Sequence, residues 1–241
     1  MKGVILAGGT GSRLYPCTRV TNKHLLPIYD RPMIYYPIQT LVDANITDIM
    51  IVSGKGHAGQ FLELLGNGSE FGAQFSYAVQ EKAGGIAEAL GLCERFVNKD
   101  KVAVILGDNI LEDNVKNAVT EFSRQERGAR IFIKQVENPR SYGVATVEGD
   151  KITEIIEKPE IPKTNFAVVG LYMYDNQVWD IIKRLEPSGR GEMEITDVNN
   201  FYIKQGTMNY ETLRGWWGDC GENFDSFLDA ANLVKNKKIN L

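Results

Sequence analysis

Histidine and cysteine are scarce in these 241 residues, with two of the first and three of the second. Cys17, Cys93 and Cys220 are too few and too scattered for a disulfide framework or a zinc site, so a reducing compartment fits best. His24 and His57 stand apart without metal-ligand spacing and read as structural or surface residues; no Ser-His-Asp arrangement is evident. No apolar run approaches the roughly 18 residues of a membrane span. The N-terminus reads as a core strand, without the charged n-region or cleavable h-region of a signal peptide. A cytoplasmic protein with no membrane partner is expected. A basic block is missing too: 27 Lys and Arg are mixed with 31 Asp and Glu, for a net charge of −4. That balance argues against nucleic acid as a partner. Any anionic ligand must be held by a local cluster of positive charge. There is no linker, repeat or low-complexity tract, and Lys237-Lys238 reads as a solvated helix end.

What is present is an ordinary globular composition, 43% hydrophobic and 24% charged, with enough chain for a sizeable core. Short apolar runs (Val4–Leu6, Ile49–Val52, Phe75–Val79, Val102–Leu106, Ala129–Val136, Ala167–Tyr174) predict strands. Pro32–Ala44, Ala58–Leu65, Ile86–Phe96 and Asn114–Arg124 have helical spacing. The alternation predicts an α/β fold, a mostly parallel sheet with helices on both faces. After about residue 130 the pattern changes. Gly143–Val147 and Lys151–Glu157 alternate around a Glu148-Gly149-Asp150 hairpin turn, adding antiparallel strands. Helices are predicted at Asn176–Leu185, Glu194–Gln205 and Asn223–Lys235. The expected organisation is a single domain over 1–241: about 1–130 binds a nucleotide, and about 131–241 binds the other substrate. Ligands in such sheets sit at the carboxyl ends of strands.

The chemistry-bearing residues fall at those ends. Gly8-Gly9-Thr10-Gly11 lets the backbone take positive φ and approach a ligand closely. Its spacing is neither a dinucleotide fingerprint nor a Walker loop. The alternative is a plain strand-to-helix turn, but Arg13 and Lys23 tip the reading towards a polyphosphate. Asp108, just beyond the strand that ends at Leu106, suits Mg²⁺, which takes one or two carboxylates with phosphate oxygens and water; capping a following helix is its alternative. Asp219, in Gly218-Asp219-Cys220-Gly221 beside Trp216 and Trp217, reads either as a second metal ligand or as the cap of the helix near Asn223. Lys158, in Glu157-Lys158-Pro159, is turned out of its strand by the proline; alone it would read as solvated surface. Gln80 offers a donor and an acceptor to a nucleobase edge, and Gly85 would let a base lie against backbone. A helix start with glycine punctuation is the competing view. The Arg190 to Asp197 loop reads as capping.

Taken together, Leu6 to Pro16, Asn22 to Ile28, Tyr29 to Pro37, Leu106-Gly107-Asp108-Asn109, Glu157-Lys158-Pro159 and Arg190-Gly191-Glu192-x-Glu194-Ile195-Thr196-Asp197 resemble the sugar-1-phosphate nucleotidylyltransferases. The resemblance is strongest to the branch that acts on glucose 1-phosphate with dTTP, and it spans residue 1 to about 235. It implies the reaction dTTP + α-D-glucose 1-phosphate → dTDP-glucose + pyrophosphate, by Mg²⁺-assisted single displacement in a Rossmann-like fold. It places Leu6, Gly8, Gly9, Thr10, Gly11, Ser12, Gln80, Gly85 and Asp108 at the nucleotide. Tyr142, Gly143, Glu157, Lys158, Val168 and Arg190 fall at the sugar phosphate, and Asp108 and Asp219 at the metal. Arg13, Lys23 and Lys158 become the catalytic cations, and a homo-oligomer, tetramer or dimer, is implied. A UTP-preferring relative, another hexose-1-phosphate enzyme and a silent nucleotide-sugar sensor are the alternatives. Longer members carry Gln where His24 stands and Asp-Thr-Gly where Asp219-Cys220-Gly221 stands. They continue for several tens of residues, so the resemblance is to a short form without the extension that helps build an interface and an effector site.

Overall fold

The computed structural model describes residues 1–236, so Lys237-Lys238 lies outside the described residues. The chain runs β1 (Lys2–Ala7), β2 (Pro27–Ile28), β3 (Arg31–Pro32), α1 (Tyr35–Asp43), β4 (Asp48–Gly54), α2 (Ala58–Leu65), β5 (Gln74–Gln80), α3 (Ile86–Gly91), α4 (Glu94–Val97), β6 (Val102–Leu106), β7 (Asn109–Leu111) and α5 (Lys116–Arg124). It continues through β8 (Ala129–Gln135), β9 (Gly143–Glu148), β10 (Lys151–Glu157), β11 (Phe166–Tyr174), α6 (Val178–Ile182), α7 (Ile195–Gln205), β12 (Met208–Thr212), β13 (Trp217–Asp219) and α8 (Phe224–Lys235).

A continuous apolar run makes a strand buried on both faces, and β1 is one. Val4 and Leu6 enter the core under α3, α6 and α7, while Ile5 and Ala7 enter the core under α1, α2 and α5. β1 lies between β4 and β6 in parallel register, and β5 extends the row beyond β4. β11 then joins β6 antiparallel and brings β8, β9 and β10 into the same sheet. β11 pairs with β6 through Leu171–Tyr174 and with β9 through Ala167. Between those stretches, Val168 and Gly170 line a cleft. The β9–β10 hairpin turns through Gly149, at φ +63°, as its Glu-Gly-Asp sequence predicts. Among the described residues no helix is long and apolar enough to cross a membrane.

The structure departs from the sequence reading at four places. The expected helix Ile86–Phe96 is split into α3 and α4, and Gly91 sits where a Cβ would come within 3.3 Å of Ile182. The expected helix Asn176–Leu185 contracts to α6; ahead of it Asp175 accepts from the Gln177 N–H at 3.0 Å, which holds Asn176 and Gln177 in a turn. β12 was not anticipated: its half-exposed sequence has no apolar run, yet it adds in parallel to the outer side of β8. The ribbon of β7 and β13 joins segments distant in sequence, which no local pattern announces.

Candidate active site

The loop after β1 is shaped by two glycines with positive φ, Gly9 at +92° and Gly11 at +62°. The Thr18 hydroxyl donates to the Gly11 carbonyl at 2.7 Å, and a Cβ on Gly11 would meet Thr18 at 2.9 Å. Burial of Leu14 anchors the following turn and leaves Arg13 exposed at the cleft. Asn22 ties the next turn back to β1. Its Nδ2 donates to the Ala7 carbonyl at 3.2 Å, while its Oδ1 accepts from the His24 backbone at 2.9 Å. The His24 ring also bonds Asn22 Oδ1, through Nδ1 at 2.6 Å. His24 is thus buried and structural; burial, then the neighbouring Lys23 charge, lowers its pKa to about 3. The turn aims Lys23 into the cleft, where Nζ donates to Asp108 Oδ2.

Asp108 lies one residue beyond Gly107 at the end of β6 and caps no helix. β13 pairs with β7 so that Asp219 stands opposite Asn109, and the Cys220 N–H donates to the Asp108 carbonyl at 2.9 Å. Asn109 braces this corner. It donates to Asp108 Oδ1 at 3.1 Å, and its own Oδ1 accepts from the Gly170 N–H at 2.9 Å and Trp217 Nε1 at 2.7 Å. Asn223, not Asp219, caps α8, in a reciprocal capping box with Ser226. The capping alternative fails for both aspartates.

Charge in this corner is unbalanced. Burial opposes ionisation of Asp108, but Lys23 outweighs it and holds the carboxyl well below the usual range. Burial likewise opposes the Lys23 charge, and Asp108 with Asp219 more than offsets it, raising the pKa. Asp219 is left over: burial and the nearby Asp108 carboxylate push it up to about 7. A buried carboxylate and a half-buried one, with one ammonium between them, leave room for one further cation. No third His, Cys, Asp or Glu joins them among the described residues. That donor set fits Mg²⁺, whose remaining ligands are phosphate oxygens and water.

The opposite wall comes from the later half of the chain. Lys158 follows β10 at φ +42°, and its N–H donates to the Tyr142 carbonyl at 3.0 Å. Its Nζ lies 3.9 Å from Glu157, whose other oxygen accepts from the Thr196 hydroxyl at 2.6 Å. Tyr142 donates its hydroxyl to Glu222 and packs its ring, tilted by 58°, against Trp217 at 5.1 Å between centroids. At the far end, Gln80 bonds Gly85 and Glu88. Gly85, at φ +102°, is required by close backing: a Cβ there would sit 2.5 Å from the Met193 carbonyl.

These walls enclose a cleft of about 320 Å³. Leu6, Gly8, Gly9, Arg13, Lys23, Gln80, Gly85, Asp108, Tyr142, Gly143, Glu157, Lys158, Val168 and Asp219 all line it. Thr10, Gly11 and Ser12 belong to the same loop but fall outside the lining. Arg190 also falls outside it, held by Glu194 at 2.8 Å and Glu157 at 3.4 Å. Sequence reasoning missed the parts played by Asn109, Thr196 and Glu88, which act by holding other side chains. Trp217 packs in the core and also lines the cleft. Chemically, the cleft offers a glycine loop, three cations and a carboxylate pair to a polyphosphate, with a polar amide at one end.

The nucleotidyl transferase family model matches residues 2–237. The chain belongs to the nucleotidyl transferase family. A glucose-1-phosphate thymidylyltransferase of Neisseria meningitidis serogroup A is 44% identical over 239 residues, 98% of this chain and 83% of that protein. One from Mycolicibacterium smegmatis is 45% identical over 239 residues, 98% of this chain and 82% of its own length. Among solved structures, a Bacillus anthracis protein, provisionally assigned as a glucose-1-phosphate thymidylyltransferase and crystallised with sucrose, superposes with a TM-score of 0.95. It is 53% identical, over 100% of this chain and 97% of that one. A UDP-glucose pyrophosphorylase in complex with UDP-glucose superposes at 0.87, with 25% identity and 98% coverage of both chains. This nucleotidyl transferase thus shares its fold and most of its length with enzymes of nucleotide-sugar synthesis.

Proposed function

We propose that the chain makes dTDP-glucose and pyrophosphate from dTTP and α-D-glucose 1-phosphate. The observation that carries this reading is the meeting of Lys23, Asp108 and Asp219 beside the glycine loop, in a cleft whose other wall carries Lys158. The names of the relatives supply the nucleotide and sugar.

A sugar phosphate is a nucleophile at neutral pH, so no general base is required. The obstacle is repulsion between its dianion and a triphosphate. The residues of the cleft address that by position and charge. Lys158 holds the sugar phosphate for in-line attack on the α-phosphorus. Arg13 and Lys23 neutralise the α- and leaving phosphates, with the Gly8–Gly11 backbone against them. Asp108 and Asp219 would hold Mg²⁺, which when bound supplies charge neutralisation on the phosphate oxygens. Gln80 and Gly85 meet the base. Glu157, steadied by Thr196, meets the sugar hydroxyls with Tyr142, Gly143 and Val168, and Arg190 acts through its ion pairs to Glu157 and Glu194.

In this reading residues 1–130 contribute mainly the nucleotide side of a single domain, and the later half mainly the sugar side. A homo-oligomer, tetramer or dimer, carries over as part of the proposal; light scattering of the purified chain tests it. Turnover measured across dTTP, UTP and GTP with several sugar 1-phosphates tests the activity. Highest kcat/KM for dTTP with glucose 1-phosphate supports the reading. Activity only with another pair reassigns the substrate, and none with any pair favours a silent sensor.

A further inference from the structure

We propose that Glu88 sets the base preference of the cleft by fixing which end of the Gln80 amide faces the substrate. The proposal rests on the base being held at Gln80 and Gly85, as above. Gln80 closes β5 beside Gly8 and Gly85. Its Nε2 donates to Glu88 Oε2 at 2.6 Å and to the Gly85 carbonyl at 3.2 Å. Both neighbours are acceptors only. Turning the amide over would set its carbonyl oxygen against a carboxylate and a backbone carbonyl, so one orientation is satisfied and the other repelled. Oε1 is thereby left on the Gly8 side, 3.0 Å from where a Cβ on Gly8 would stand. No hydrogen bond among the described residues reaches it.

A free acceptor at that place selects a pyrimidine by its N3 position. Thymine and uracil carry an N3–H there. Cytosine carries a lone pair, and a base presenting it leaves two acceptors facing each other unpaired. Glu88 sits half-buried in the first turn of α3. A Cβ on Gly84 would overlap its carboxylate, so the missing side chain at Gly84 makes room for the contact with Gln80. An acidic residue in a first helical turn also favours the helix, but that accounts for the charge and not for its bond to Gln80. Glu88 is therefore a positioning residue.

The test measures kcat and KM for dTTP, UTP and dCTP with glucose 1-phosphate and Mg²⁺, in the wild type and three variants. Glu88→Ala leaves only the Gly85 carbonyl to orient the amide. The dTTP-over-dCTP ratio of kcat/KM should fall about tenfold or more, mainly through a higher KM for dTTP. The dTTP-over-UTP ratio should stay, because both bases carry the N3–H. Glu88→Gln, whose carbonyl can accept from Gln80 but whose amide can also donate to the turned-over group, should give a dTTP-over-dCTP ratio between those of the wild type and E88A. Glu88→Asp keeps the charge but withdraws the acceptor, and should share the loss; it decides the matter if E88A does not fold. Ratios within threefold of wild type in both E88A and E88D overturn the proposal, as does an equal fall in the dTTP-over-UTP ratio. A wild type that makes no nucleotide sugar from dTTP overturns the enzymatic reading and this inference with it, whereas an active wild type with unmoved ratios removes only Glu88.

Discussion

Lys23 is the cation on which the charge arrangement turns, since it faces Asp108 directly and Asp219 nearby. Lys23→Ala should cost about 10²–10³ in turnover, the usual worth of one preorganised electrostatic group. Pyrophosphate release checks this, with a thermal melt to confirm the fold; activity within a few-fold of wild type removes Lys23 from the mechanism. Asp108→Asn should abolish activity together with its Mg²⁺ dependence, and an unchanged metal titration would move the metal site elsewhere. His24 makes a separate, stability-level prediction. Its folded pKa is about 3, against an ordinary 6.5. Above 6.5 neither the folded nor the unfolded chain binds the proton; between 6.5 and 3 only the unfolded chain does. Stability is therefore lost as pH falls through that window, by up to about 1.4 kcal/mol per pH unit. His24→Gln lacks this term. Its denaturant-unfolding free energy relative to wild type should improve by roughly 2 kcal/mol between pH 6.5 and 4.5. A constant difference across that range contradicts a buried neutral histidine.

The elements that matter most for the site are the smallest ones. The β7–β13 ribbon carries Asp219 to Asp108, and the loop after it has no spare room. A Cβ on Gly221 would come within 2.6 Å of Lys23 Nζ and 2.7 Å of Asp108 Oδ2. Gly221→Ala should thus lower kcat at least tenfold while the melting temperature stays near that of wild type; undiminished kcat would show that the corner can yield. Asn223→Ala removes the α8 cap and should cost about 1 kcal/mol, read as a drop of a few degrees in Tm. The same ribbon marks where sequence reasoning reached its limit. Asp108 was readable because a buried apolar run aims the next polar residue at the strand ends. Asp219 stayed undecided between metal and cap, since the pairing that places it is non-local and the true cap, Asn223, lies only four residues on. Glu88 and Asn109 were passed over because each acts through another side chain. Arg190 was expected at the sugar, yet three nearby glutamates hold it off the cleft lining.

For the whole molecule, one sheet carries both halves of the cleft: β1, β4, β5 and β6 on the loop side, and β8 to β11 on the Lys158 side. That layout was largely legible, because buried parallel strands are apolar runs and the β9–β10 hairpin alternates around a Gly-Asp turn. If the base is held at Gln80 as proposed, its acceptor is satisfied alike by thymine and uracil, so only the 5-methyl group and the 2′ position separate dTTP from UTP. A methyl contact is worth about 1–3 kcal/mol, and partial use of UTP is expected. The most direct measurement follows the phosphorus atoms by ³¹P NMR as the chain is mixed with dTTP, glucose 1-phosphate and Mg²⁺. dTDP-glucose and pyrophosphate should appear in equal amounts as the glucose 1-phosphate signal falls. Untouched dTTP, or inorganic phosphate with no diphosphate sugar, would contradict it.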